Sequence, residues 1–421
     1  MRDPGARLVR DGDRPEVSLR WDRHRLIPAR HGDTVSLALL DAGVLETSRS
    51  AKYRRPRGAF CLRGDCGTCL VRIDGRPNRR ACLTVARPGM QVLPQNRLTP
   101  GLDPSALIDA MMRGPLDHHH FMVKPRVVNR MMQGVARTLT GLGTLPDAVP
   151  DQPAVHRVHR PDVLVVGAGA AGAAAYARLV DSGRQVLWVD RFDREGLSAH
   201  RGRPLPPALL DHTGVFGVYP AERLWSAMSQ VPDQPIVLRS IIPRHVIVAT
   251  GARDPTIALP NNDRPGVVAA RGLLYQLRRS RAQLKIPTVV VGPGDHAQRM
   301  GQALGVDVVD PAQVEQIEGS PVEGLRLVDG PRACQLVALA APPAPAYDLA
   351  RQAGAYLRWN GAGFAVQRDD AGRCVTAPWT VWAAGEVAGL PFAPGDAVAD
   401  DGQRIAEALL AADDRAGRPS A

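Results

Sequence analysis

Four cysteines gathered in one short stretch constrain this chain more than any other feature. The stretch "CLRGDCGTCLVRIDGRPNRRAC" runs from Cys61 to Cys82 and holds four of the six cysteines, spaced C-x4-C-x2-C-x12-C. Its first gaps match plant-type ligation of a [2Fe–2S] cluster by Cys61, Cys66, Cys69 and Cys82. A zinc site normally takes two C-x2-C pairs, and one is present. A disulfide cage is the third reading, and reducing compartments disfavour it. Gly64 and Gly67 let the backbone wrap a compact centre and turn N–H groups toward sulfur, which tunes such a cluster. Cys82 returns on a hairpin turned at Asp74-Gly75. Cys334 and Cys374 stand alone and read as ordinary core or surface thiols.

The surrounding pattern predicts a small β-rich unit over residues 1–98. "VSLRW" and "RLIPA" alternate as strands do. "DTVSLALLDAGV" predicts a short helix capped by Asp33 or Thr34 and stopped by Gly43. "CLVRIDG" and "MQVLP" supply further strands. Strands, a helix and then a metal loop feeding more strands is the order of a β-grasp ferredoxin. Residues 99–158 predict a helical connector with an apolar, Met-rich face ("RVVNRMMQGV") and a Pro-rich linker. The run Asp117–His120, "DHHH", tempts a metal reading. Adjacent histidines point in different directions, so packing or solvated histidines is the preferred one.

Beyond residue 159 the period changes. "DVLVVGAGAAGAAAYARLVDSGRQVLWVDR" is strand, glycine turn, Ala-rich helix and strand. In it Gly167 permits the turn, Gly169 admits a pyrophosphate, and Gly172 brings helix and strand together. Ala170 and Ala171 begin the helix whose N-terminus would face phosphate. Asp190 ends the second strand where ribose hydroxyls are expected, followed by Arg191. Ala249–Gly251 ("ATG", with Thr250) and "AAGEVAG", with Gly385 and Glu386, mark the other chain segments that meet a flavin nucleotide in this kind of fold. Glu386 stands where an Asp is commoner. A second copy, "TVVVGPGDHAQRMGQALGVDVVD", keeps Gly292 and Gly294 but has Ala297 third, and Pro293 removes an amide. Asp310 could hold a ribose there, although a structural remnant is the preferred reading. The expected class is α/β: a β-grasp [2Fe–2S] ferredoxin-like domain (1–98), the connector (99–158), a dinucleotide-binding domain (159–265 with 375–421) and an inserted second, NAD-like domain (266–374).

Composition narrows the function. The formal charge is +11, from 53 Lys+Arg against 42 Asp+Glu, with little lysine. No basic run interleaves with aromatics, so nucleic-acid binding is not indicated. The first residues have no apolar core and no run is long enough to span a bilayer, so a soluble, cytoplasmic chain is expected. No C-x4-C or C-x-x-C lies beside the glycine loops, which excludes a dithiol–flavin reductase, and no nucleophile motif appears.

In the order of several segments the chain resembles the α subunit of heterotetrameric sarcosine oxidase and its relatives, the α-type subunits of dye-linked proline and hydroxyproline dehydrogenases, opine oxidases and hydrogen cyanide synthase. The segments are "SAKYRRPRG", "NRLTPGLDPSALIDA", "KPRVVNRMMQGVARTLTGLG", "HTGVFGVYP", "HVIVATGARDPTIALPNNDRPGVVAARGLL" and "LARQAGAYLRW". The resemblance implies an electron-transfer subunit of a multisubunit flavin-dependent amino-acid dehydrogenase or oxidase. Its substrate, a secondary amine, imino acid or glycine, would be oxidised on a separate FAD-containing, amino-acid oxidase-like β subunit, in a hetero-oligomer that can include a further small subunit. It implies FAD, or in some members NAD or ATP, on the first glycine loop, and FMN at the α–β interface. Lys52, Arg54, Arg55 and Lys124 are the basic candidates for that FMN, although solvation of the surface is the preferred reading of these four. The sarcosine oxidase α subunit continues into an aminomethyltransferase-like half, and this sequence ends before one. It also lacks the cluster cysteines that are present here, so electron transfer onward is expected rather than direct use of oxygen. The competing expectations are a self-sufficient NAD(P)H-dependent iron–sulfur reductase and a structural scaffold.

Overall fold

The computed structural model describes residues 7–10, 12, 14–50, 55–95, 127, 130, 154–231, 234–375, 380–391 and 396–415. It divides into two compact units, Met1–Val149 with Thr256–Ala341, and Pro150–Pro255 with Pro342–Ala421. The connector, apart from Val127, Arg130 and residues 154–158, lies outside the described residues, as do Asp117–His120, Lys52, Arg54 and Lys124.

In the first unit the N-terminal segment forms a five-stranded sheet, in the order Arg25–Arg30, Glu16–Trp21, Gln91–Pro94, Leu70–Ile73, Arg76–Arg80. The alternation in "EVSLRW" decides which face is buried: Val17, Leu19 and Trp21 point in. Glu16–Trp21 runs antiparallel to Arg25–Arg30 and parallel to Gln91–Pro94, so the start and end of the domain lie side by side. Helix Val35–Asp41 lays Val35, Leu37, Leu39 and Leu40 on that sheet's core. Thr34 is the cap, its hydroxyl oxygen accepting from the Leu37 N–H at 3.3 Å. The Asp33 carboxylate instead accepts from the Arg30 N–H and pairs with Arg10. Asp74 and Gly75 both take left-handed backbone (φ 47° and 77°), as a tight hairpin turn requires.

Residues 256–341 belong to this same unit. They carry a four-stranded parallel sheet, in the order Val267–Ala269, Leu336–Leu339, Thr288–Val291, Val308–Val309. A three-stranded antiparallel sheet, Val314–Gly319, Val322–Leu327 and Gly330–Ala333, shares its core through Ile317 and Leu325.

The second unit is built on a five-stranded parallel sheet, in the order Leu209–Leu210, Val186–Val189, Val163–Val166, His245–Val248, Val381–Ala383. Val163–Val166 is buried along its whole length, the mark of a strand covered on both faces. Helix Ala170–Asp181 follows that strand, and helix Asp396–Arg415 presses on it so closely that a Cβ on Gly402 would stand 2.1 Å from the Ala171 carbonyl oxygen.

Two borders differ from the sequence expectation. The inserted segment spans 256–341, where 266–374 was expected. Residues beyond 341 return to the second unit because Val366 and Cys374 pack with Val246, Val381 and Ala383 in its core. The end of the expected linker is a strand, Val155–His159, paired with Val237–Ile241 in a four-stranded sheet. Among the described residues no helix is long and apolar enough to cross a membrane.

Candidate cofactor sites

The structure brings the four spaced cysteines together. Cys61, Cys69 and Cys82 are buried, and Cys66 is exposed at the edge of the loop. Their sulfurs are neighbours, Cys61 with Cys66, Cys61 with Cys82, and Cys69 with Cys82 at 3.4 Å. No two are joined as a disulfide. The Asp65 and Cys66 N–H groups donate to the Cys61 sulfur at 3.2 and 3.3 Å, and the Cys61 N–H donates to the Cys66 sulfur at 3.4 Å. Gly64 and Gly67 make this wrap with left-handed backbone (φ 83° and 67°). The Thr68 hydroxyl lies 3.1 Å from the Cys66 sulfur and accepts from the Phe60 N–H.

The thiols hold one another's protons. Its hydrogen bond with Cys66, then that with Cys82, pulls Cys61 far below the ordinary thiol value, while Cys66 is pushed far above it by the same bond. Cys69 is drawn down by Cys82, and Cys82 is raised by its bonds to Cys61 and Cys69. Thiols this close cannot all ionise against each other. A centre carrying positive charge could take all four as thiolates, and a donor set of four sulfurs with inward N–H groups fits an iron–sulfur cluster. The other two cysteines differ. Burial pushes Cys334 up to about 11 and Cys374 up to about 12, the behaviour of inert core thiols.

The first glycine loop is shaped for a phosphate. Gly167 has φ 113°, and a Cβ there would lie 2.2 Å from the Ala249 carbonyl oxygen. This puts the "ATG" segment directly against the loop. A Cβ on Gly172 would lie 2.0 Å from the Gly167 oxygen, so helix and loop meet without a side chain between them. Nothing stands within 4 Å of a Cβ built on Gly169, which caps the helix without a side-chain hydrogen bond. That open cradle at a helix N-terminus suits a pyrophosphate. Asp190 accepts from the Ala168 N–H at 2.6 Å and the Phe192 N–H at 2.8 Å, bracing the loop. Arg191 lies over the Phe192 ring.

The other predicted segments converge on this unit. Glu386 brings a carboxylate oxygen to 3.4 Å from a Cβ placed on Gly251. Thr250 donates to the Ala346 carbonyl at 2.8 Å. The Gly385 N–H donates to Asp401 at 2.8 Å, and Asp401 also receives Arg368 and Arg404. Burial works to raise the Asp401 carboxyl, but these hydrogen bonds outweigh it and hold the group below its ordinary value.

Sequence reading missed two residues here. Asp401 sits within a helix with no motif around it. Arg201, at the end of helix Arg194–Arg201, reaches back to the glycine loop and donates to the Ala168 and Gly169 carbonyls at 3.0 and 3.3 Å. Burial first, then the neighbouring Arg203, pulls its guanidinium down to about 10, the state of a cation that would gain from an anion. A cluster of arginines after Asp190 was the available signal.

The second loop has the same outline with other contents. Pro293 occupies the cap position of helix Gly294–Leu304, and Asp295 is in its first turn. Asp310 caps the short turn Pro311–Gln313, accepting from the Ala312 N–H at 2.8 Å. Arg55, among the expected interface residues, lies exposed 3.5 Å from Asp263.

Residues 14–97 match the family described as a 2Fe-2S iron-sulfur cluster binding domain, which encloses all four cysteines. The N-terminal segment is therefore a [2Fe–2S]-binding domain. The chain is 28% identical over 321 residues to the sarcosine oxidase subunit alpha of Rhizobium meliloti, covering 66% of this chain and 32% of that one. It is 42% identical over 74 residues to the hydrogen cyanide synthase subunit HcnA of Pseudomonas protegens, 17% of this chain and 70% of that one. The chain thus spans about a third of the length of the sarcosine oxidase relative. Among solved structures, the L-proline dehydrogenase of P.horikoshii superposes with a TM-score of 0.68 at 18% identity, over 100% of this chain and 77% of that one. That likeness is one of fold.

Proposed function

We propose that the chain is a member of the sarcosine oxidase α-subunit-like family and the electron-transfer subunit of a multisubunit, flavin-dependent amino-acid dehydrogenase. The substrate would be a secondary amine or imino acid, oxidised on an FAD-containing partner. The observation that supports this best is the gathering of Cys61, Cys66, Cys69 and Cys82 in a chain that otherwise follows the sarcosine oxidase α pattern.

The residues divide the work. The four cysteines would ligate the cluster, with the Asp65 and Cys66 N–H groups donating to sulfur. When bound, a [2Fe–2S] cluster accepts electrons singly and so splits the pair that a flavin carries. The N-terminus of helix Ala170–Asp181 would hold the pyrophosphate of FAD, or of NAD or ATP, with Gly169 leaving room and Arg201 adding charge. Asp190 would stand at the ribose, and Gly251, Gly385 and Glu386 would line the flavin half. An FMN at the partner interface would be held by Lys52, Arg54, Arg55 and Lys124, since cationic side chains grip phosphate. A cytoplasmic location is part of this proposal, because reducing compartments disfavour disulfides and leave cysteines for cluster ligation.

Native mass in cell extract tests the reading. A complex with a roughly 40 kDa flavoprotein, the usual span of a two-domain partner, is expected. A lone 45.2 kDa species would sink it. The purified complex should hold about two irons per chain. Cys66→Ser should bleach it while Cys334→Ser leaves its colour.

A further inference from the structure

Helix Ala270–Ser280 of the inserted segment lies against the cysteine loop, within one compact unit. A Cβ on Gly272 would stand 2.0 Å from the Cys61 carbonyl oxygen, so the helix touches the loop backbone to backbone. The Ala269 N–H donates to the Phe60 carbonyl at 2.8 Å, and Arg279 donates to the Gly32 carbonyl at 2.9 Å.

At the centre of this contact is Gln276, 0% exposed. Its amide nitrogen donates to the Leu62 carbonyl at 2.7 Å and to the Cys82 carbonyl at 3.1 Å. Its amide oxygen accepts from the Thr34 hydroxyl at 2.8 Å. The Thr34 oxygen itself accepts from the Leu37 N–H, so its proton goes to Gln276 and the amide can face one way only. Leu62 adjoins Cys61, which pairs with Cys66, and Cys82 pairs with Cys69. One side chain therefore reaches both halves of the four-sulfur set.

We propose that Gln276 is a positioning residue for the iron–sulfur cluster: carried on the inserted domain, it clamps the Cys61 and Cys82 segments together and sets the cluster's reduction potential. The proposal rests on the four cysteines being the ligands. The sign follows from charge. The two amide N–H groups direct positive ends toward carbonyls beside the ligands, in a buried setting where such dipoles act strongly. Reduction adds negative charge to the cluster, which those dipoles favour. Without them the reduced form is disfavoured and the potential falls. This role also accounts for an inserted domain whose own glycine loop carries Pro293 and Asp295 where a phosphate would approach.

The test uses the full chain with its cluster and whatever partner co-purifies. Iron, sulfide and the electron paramagnetic resonance spectrum of the dithionite-reduced wild type come first. A wild type without iron and sulfide overturns the ligand assignment and this proposal together. Gln276→Met keeps the volume and removes both donors. A redox titration should show the reduced-to-oxidised ratio at a fixed potential falling at least tenfold, about 59 mV for one electron, with altered g-values. Gln302→Leu, on an exposed position of the neighbouring helix, should change neither. If Gln276→Met does not accumulate folded, Gln276→Glu keeps the acceptor facing Thr34 and is expected to shift the potential the same way. A variant that melts earlier but keeps the wild-type potential and spectrum would reduce Gln276 to a domain fastener and overturn the proposal.

Discussion

The two glycine loops share an outline and diverge in what they leave open. Each presses its first glycine on the carbonyl ending a neighbouring strand: a Cβ would lie 2.2 Å from Ala249 at Gly167, and 2.3 Å from Ala340 at Gly292. The resemblance stops there. Gly172 lets its helix meet the loop oxygen at what would be 2.0 Å, whereas Ala297 keeps a methyl between helix and loop. The first helix begins with no acid, and the second has Asp295 in its first turn. Asp190 accepts from the Ala168 and Phe192 N–H groups and Asp310 from the Ala312 N–H, so both acids brace their own segments. A strand–loop–helix unit thus specifies a packing solution, and a few atoms around the loop decide whether it can receive phosphate.

The largest test of that contrast is Gly169→Val. It places a branched side chain in the open cradle, and the expected outcome is loss of the nucleotide from the purified protein. Asp310→Ala should cost only about 1 kcal/mol of capping and leave nucleotide content unchanged. Full occupancy in Gly169→Val, measured by identifying what denaturation releases, would mean the ligand sits elsewhere.

Arg201→Ala comes next. A hydrogen bond to a charged group contributes about 1.5–3 kcal/mol, so nucleotide affinity should fall roughly tenfold to a hundredfold. Arg201→Lys should recover part of it, because the compact ammonium lacks the guanidinium fork. Titration of stripped protein with FAD at low and high salt checks both. Unchanged affinity in Arg201→Ala would confine the residue to bracing the Ala168 and Gly169 carbonyls.

Asp401→Asn acts on the other side of the same site. Its carboxyl is depressed in the folded chain, so it contributes stability above its unfolded value near 3.9 and loses it as pH falls through the lower native value. We expect the variant to be less stable by about 2 kcal/mol at neutral pH, since it gives up charged hydrogen bonds to Arg368 and Arg404. The gap should narrow below roughly pH 4 as the wild type protonates. Denaturant melts across that range check the sign, and a gap that stays constant with pH would remove Asp401's charge from the account.

What was legible in the sequence was local. The cysteine spacing, the Asp74-Gly75 turn, the "EVSLRW" alternation and the βαβ units each declare themselves within a short window. The arrangement of the pieces did not. The border at 341 depends on Val366 and Cys374 joining a core built from strands far away in sequence. Gln276 touches Leu62 and Cys82 across more than 190 residues of chain, and nothing in "ARGLLYQLRRS" announces that partner. Asp401 serves Gly385 from inside an ordinary amphipathic helix. Motifs carry chemistry that must be close in the chain, while the residues that hold those motifs come from wherever the fold delivers them.

The smallest expected effect comes from trying to repair the second loop. Pro293→Ala restores an N–H at the helix start, and Asp295→Asn removes a carboxylate from its first turn. A charge near a helix N-terminus contributes about 0.3–1 kcal/mol, so the double variant should gain less than about tenfold in affinity for any nicotinamide nucleotide. Ala297 still separates helix from loop, so the close approach is not regained. The wild-type chain mixed with NADH and an electron-accepting dye should show no turnover, and the double variant should stay at background. With the first loop loaded with its nucleotide, calorimetry with NADH should give no measurable heat for the wild type. Robust reduction of the dye by the wild-type chain would break the comparison, because the second loop would then be a working nicotinamide site and the chain a self-sufficient reductase.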